Sequence, residues 1–207
     1  MTKQKQLTHE EVLKWMDPAQ TPWLQRQVWP PPAESNICKE CGGGTFIELG
    51  GADANNSDFC GGATYHPNLD IRKMPGVDMV WDLETGKIPY HDNHADRIKM
   101  VHVINHLTKV TADKILKECL RVLKPNGVLF IMVTDMEFIL RKALEDGMPD
   151  AWITGIWGTK GDSHEADFHY WGYTPDSLKA LLYDTGFRHV VNCGNPNAWE
   201  FRMNAVK

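Results

Sequence analysis

Gly50-Gly51, Asp70 and Asp82 each close a short apolar run, and that placement gives them chemical meaning. Thr45, Phe46, Ile47 and Leu49 are β-formers, and the two glycines after them let the chain turn tightly and bring bare backbone against a bound group. Asp70 closes Asn68-Leu69-Asp70-Ile71, 20 residues after Gly50, the separation at which a nucleotide-binding βαβ unit places a carboxylate on a ribose. Asp82 closes a third run, Val77 to Trp81. An ionised carboxylate is an acceptor-only group that can hold two donors, and charge-assisted bonds are the stronger kind. Three strand ends facing one ligand are the expectation.

The elements that would position them follow in order. Arg97 to Val103 has the β-branched content of a buried strand ending near His102 and His106, and Thr111 caps a predicted helix over Ala112–Leu123 with a stripe of Ile115, Leu116, Cys119, Leu120 and Leu123. Lys124-Pro125-Asn126-Gly127 reads as a turn before an apolar strand, Val128 to Val133, and Met136 to Leu144 reads as another helix. Residues 146–173 lose periodicity while gathering Trp152, Trp157, His164, Phe168, His169, Tyr170 and Trp171, an aromatic loop that forms a lid or acceptor platform, or else fills a satellite core. Thr174 and Pro175 start the last helix, Gly186 ends it, and two strands near Arg188–Val191 and Glu200–Val206 finish the chain. Alternating strands and helices imply an α/β fold, doubly wound, with a mostly parallel sheet and helices on both faces.

Residues 1–44 read as an arm with a short helix, His9 to Met16, followed by Trp23, Trp29 and Pro30-Pro31-Pro32, which pack across the main domain, cover a ligand or meet the second subunit of a homodimer. Cys38-Lys39-Glu40-Cys41 is half of a zinc site; a structural zinc wants four ligands, and Cys60 and His66 are the nearest further candidates, so two reduced thiols and no bound metal are the plainer reading. At 207 residues and 42% hydrophobic content, the chain suits one domain over residues 45–207. A net charge of −5 and a pI near 6.0, with no basic run, exclude a nucleic-acid footprint. No apolar stretch has membrane-spanning length and no signal-peptide pattern opens the chain, which leads to the expectation of a soluble, cytoplasmic protein with a small-molecule or glycan partner.

Taken in order, FIELGG, NLDI, VWDLE, HVINHL, LKECLRVLKPNGVLFIMV and YTPDSLKALLYDTGF resemble the successive motifs of class I S-adenosylmethionine-dependent methyltransferases, over roughly residues 45–206. The likeness is greatest to small bacterial and phage-type enzymes. It implies a single domain with a seven-stranded sheet that has an antiparallel terminal strand, and S-adenosylmethionine as cofactor. By resemblance, Glu48, Gly50 and Gly51 fall in the loop around the methionine end; Asp70 takes the ribose hydroxyls with Ile71 beside the adenine; Asp82 takes the adenine amino group, with the Leu83 amide on the ring.

The same layout puts His102 and His106 at the transfer position and His169 in the aromatic loop, each able to take a proton from an acceptor hydroxyl. Similarity to enzymes that modify surface sugars implies O-methyl transfer to a sugar or another small molecule. The chain departs from the family after Gly50, where Ala52 and Ala54 occupy places normally bare of side chain. A non-catalytic binding protein with the same fold therefore stays open, as does, more distantly, a nicotinamide-dependent oxidoreductase, which would want a fuller glycine motif.

Overall fold

The computed structural model describes residues 45–52, 67–158, 167–195 and 197–207. The predicted arm, its helix and Cys38-Cys41, together with Ala54, Cys60, His66 and His164, lie outside the described residues. The strands are β1 (Phe46–Leu49), β2 (Asn68–Asp70), β3 (Met79–Val80), β4 (Ala95–Val101), β5 (Leu123–Thr134), β6 (Arg188–Asn192) and β7 (Glu200–Val206). The helices are α1 (Lys109–Val122), α2 (Met136–Glu145), α3 (Asp150–Trp157) and α4 (Pro175–Thr185), with 3-10 turns at Leu83–Thr85 and Ile104–His106.

All seven strands form one sheet in the order β3-β2-β1-β4-β5-β7-β6. Pairing is parallel from β3 through β5, while β7 runs antiparallel to both β5 and β6. This is the mixed α/β sheet expected, and its first four strands deliver their carboxyl ends to one edge. β4 stops at Val101, short of the predicted Val103, because His102 takes a φ of +52°, outside the extended range. The turn expected at 124–127 is built into β5: Asn126 sits at φ +64° and the pairing with β4 slips between Ala95 and Arg97, a bulge and not a chain reversal.

α1 begins earlier than predicted. Thr108, not Thr111, is its cap, accepting the Thr111 N–H at 3.2 Å, and the Thr111 hydroxyl is committed instead to Glu84 Oε2 at 2.7 Å. Its Ile115, Leu116, Cys119 and Val122 are buried at helical spacing. α4 matches expectation, with a capping box between Thr174 and Ser177 and Gly186 at φ +113° closing it. α3 was hidden in the stretch without periodicity, because none of its residues is buried. It leans on α2 through Trp152, whose ring meets Phe138 edge-on at 6.2 Å.

At the centre of the sheet, Glu48 of β1 and Lys99 of β4 are register partners and form a 2.7 Å ion pair, both side chains under 5% exposed. Each charge offsets the cost of burying the other. Lys99→Met alone is expected to lower the unfolding free energy by about 3–5 kcal/mol by taking the counter-charge from a buried carboxylate, and the paired change Glu48→Leu/Lys99→Met to recover most of that loss; urea denaturation of the three proteins reads both.

Candidate functional site

The turn after β1 is shaped by what it cannot hold. Gly50 has φ +67°, and a Cβ there would strike Val103 Cγ2; a Cβ on Gly51 would strike Asn68 Oδ1 and the Glu48 carboxyl. The next residue, Ala52, is forced to φ +49° despite its methyl. Two β2 side chains on one face hold this backbone. Asn68 Oδ1 accepts the Gly51 N–H at 3.0 Å while its Nδ2 donates to the Ala52 and Gly76 carbonyls, and Asp70 Oδ2 accepts the Ala52 N–H at 3.0 Å.

Beyond the strand ends lies a hollow of about 270 Å³. Gly50, Asp70, Ile71, Asp82, Leu83, His102 and His106 line it, together with Arg72, Asp167 and Tyr170. Of the residues singled out in sequence, Glu48 and Gly51 are not among its lining: Glu48 lies beneath, paired to Lys99, and Gly51 is packed on Asn68. Ala52 does not line the hollow either, so its methyl does not fill the space.

The two acids differ. Asp70 is 4% exposed, and its oxygens accept the Arg72 backbone N–H at 2.9 Å, the Arg72 Nε at 3.1 Å and the Arg72 Nη2 at 3.4 Å as well as Ala52. Burial pushes its carboxyl up, but the Arg72 and Ala52 hydrogen bonds and the Arg72 charge outweigh burial and hold it below the usual range. The same guanidinium reaches Asp167 at 3.4 Å. Asp82 is exposed and caps the turn Leu83–Thr85, where Oδ1 accepts the Glu84 N–H at 2.8 Å.

Three histidines meet at the other end. His102 Nε2 lies 2.6 Å from Glu200 Oε1. His106 and His169 pack ring against ring at 4.8 Å, His106 Nδ1 donating to the Phe168 carbonyl at 3.1 Å and His169 Nδ1 to the Gly155 carbonyl at 3.2 Å. Burial, then the neighbouring His169, pushes His106 down to about 4, and burial lowers His169 too. Both are neutral near pH 7 and weak proton acceptors. His169 does not line the hollow itself; it stands behind His106.

The 146–173 segment presents described aromatic rings at the surface. Trp157, Phe168 and Tyr170 are each about half exposed; Phe168 packs on both neighbours, at 6.2 and 5.4 Å, and Tyr170 turns toward the hollow. It is anchored by the turn after His102, whose Asn105 carbonyl accepts the Tyr170 and Trp171 N–H groups. Arg72, Asn68 and Glu200 escaped sequence reasoning. Asn68 and Arg72 sit two residues either side of Asp70, a visible signal; Glu200 is 98 positions from His102 and gives none.

Residues 41–131 match the methyltransferase domain family. No curated protein matches the chain. Solved structures similar to it include a S-adenosylmethionine-dependent methyltransferase from Archaeoglobus fulgidus, at 13% identity and a TM-score of 0.56, covering 94% of this chain and 93% of that one. Another is a 1,6-didemethyltoxoflavin-N1-methyltransferase from Burkholderia thailandensis solved with 1,6-didemethyltoxoflavin and S-adenosylhomocysteine, at 14% identity and 0.54, covering 93% and 78%. A third is a S-adenosylmethionine-dependent methyltransferase from Thermotoga maritima described as a possible histamine N-methyltransferase, at 17% identity and 0.54, covering 79% and 82%. At these identities the likeness is one of fold.

A histidine held below its ordinary value resists in the folded state a proton that the unfolded chain accepts. Stability from His106 is therefore full above about pH 6.5 and is lost as pH falls toward about 4; His169, lowered by burial, contributes with the same sign. Thermal melts across that window should show the wild type losing stability and His106→Asn losing less of it.

Proposed function

We propose that this chain, which carries a class I S-adenosylmethionine-dependent methyltransferase domain, uses the hollow at the strand ends to bind S-adenosylmethionine and methylates a hydroxyl on a small-molecule or sugar acceptor. The observation that supports this reading best is that Gly50, Asp70, Asp82 and His102, which follow or end four adjacent parallel strands, line one hollow. Ligands of open α/β sheets bind in that crevice.

The residues present fit the cofactor. A glycine whose Cβ would have no room lets backbone approach the ligand, two carboxylates face its hydroxyl and amino donors, and Ile71 and Leu83 give apolar cover to a flat base. Ribose hydroxyls take the places of the Arg72 side-chain bonds on Asp70, whose backbone contacts keep the carboxylate oriented. Asp82 Oδ1 serves the Glu84 N–H and Oδ2 is left for the adenine amino group. When bound, S-adenosylmethionine supplies a sulfonium methyl whose bond to sulfur breaks, electron pair to sulfur, as the acceptor oxygen bonds to carbon. His102 takes the acceptor's hydroxyl proton and releases it to solvent. Tyr170, exposed at the rim, offers a ring for a sugar face or a planar acceptor.

A binding role without catalysis is the second reading, favoured by the guanidinium that already occupies Asp70. Calorimetry with S-adenosylmethionine and S-adenosylhomocysteine tests the first. Binding of both is expected, with Asp82→Ala weakening each by about tenfold, the scale of one hydrogen bond to a charged group, and Arg72→Gln tightening them by freeing Asp70. No heat with either ligand, in protein shown to be folded, removes the enzyme reading.

A further inference from the structure

His102 and His106 line the hollow, His169 packs on His106, and the partners of the three differ in kind. His106 and His169 each donate from Nδ1 to a backbone carbonyl. His102 is bonded to a carboxylate, Glu200 Oε1, at 2.6 Å. Glu200 opens β7, is 5% exposed and reaches His102 because β7 lies against β5, whose Met132 carbonyl takes the His102 backbone N–H at 2.9 Å.

The far oxygen of Glu200 is also fixed. Asn197 Nδ2 donates to Oε2 at 2.6 Å, and Asn197 cannot turn its amide over without loss, because its Oδ1 accepts the Trp199 N–H at 3.1 Å. Trp199 in turn lies nearly parallel to the His102 ring, 6.3 Å between centroids. The direction of every bond in this chain is therefore set: amide donor to carboxylate, carboxylate accepting from Nε2–H. Neutral imidazole has one N–H, so the lone pair is left on Nδ1.

Resting on the methyltransferase reading above, we propose that Glu200, oriented by Asn197, is the positioning residue that makes His102 the base of the site, holding its ring as the Nε2–H tautomer so that Nδ1 accepts the proton of an acceptor hydroxyl. The β6–β7 hairpin thereby selects one histidine out of three.

The test reads the His102 tautomer in two-bond proton–nitrogen correlation spectra of nitrogen-15-labelled full-length protein in mildly alkaline buffer. Wild type is expected to show Nε2–H. In Glu200→Gln, Asn197 keeps the new amide's oxygen and its NH2 faces the ring, so His102 shifts to Nδ1–H. Adding Asn197→Ala lets that amide turn over and returns the Nε2–H form, a rescue that a merely structural Glu200 would not give. An Nδ1–H ring in the wild type, or an unmoved tautomer in Glu200→Gln, overturns the proposal; the wild-type spectrum decides even where a variant fails to fold. Calorimetry with S-adenosylhomocysteine on the same samples separates the two readings: absent binding sinks the cofactor assignment, while the tautomer still decides the role of Glu200.

Discussion

The backbone of Gly51 and Ala52 finds its hydrogen bonds on side chains of the neighbouring strand, and these hold the turn that follows Gly50 at the edge of the hollow. Gly51 and Ala52 present two N–H groups, and Asn68 and Asp70 accept both. Asn68 must also donate twice, to the Ala52 and Gly76 carbonyls, which a carboxylate cannot do. Asp70 meets only donors, which an amide would serve less well. The two positions are not interchangeable. Since the Asn68 N–H goes to Asp78 Oδ2 at 2.8 Å, the β1 turn, β2 and the approach to β3 are tied together. Ala52 at positive φ costs about 1 kcal/mol, a strain that persists where several bonds over-determine the conformation.

A second tie runs from the other wall. The turn after His102 holds the aromatic segment by its Asn105 carbonyl and by His106 on the Phe168 carbonyl, and Arg72 holds it from the β2 side through Asp167. Both walls therefore fix the rim residues, and Tyr170 faces the hollow from a backbone that is itself hydrogen-bonded. Among the described residues no helix is long and apolar enough to cross a membrane, and no cluster could hold a metal ion.

The strands, α1, α2 and α4 were legible because each buries a periodic face or carries a cap that chemistry recognises, as Thr174-Pro175 and Gly186 show. α3 was illegible for the converse reason: none of its residues is fully buried. The 20-residue spacing from Gly50 pointed to Asp70 and the end of a third apolar run pointed to Asp82, since those positions answer to a βαβ length and to local strand ends. Neither signal could separate Glu48, which alternation along β1 and the register with Lys99 turn into the sheet interior. Equally, nothing local ties Glu200 to His102; only the antiparallel return of β7 along β5 makes them neighbours.

Asp70 shows why a carboxylate in the right place is not by itself affinity. Its two oxygens already accept four bonds, two from backbone N–H groups and two from the Arg72 side chain. A ligand hydroxyl that arrives there gains only the difference between its own bonds and those of a charged guanidinium, while Arg72 regains solvation and keeps Asp167. In the proposed exchange the carboxylate stays charged and aimed, because its backbone bonds do not change partners. On the proposed binding mode, discrimination at this acid comes from orientation, and net binding energy is drawn from groups with less to give up, such as the exposed Asp82 at the next strand end, where one oxygen caps a turn.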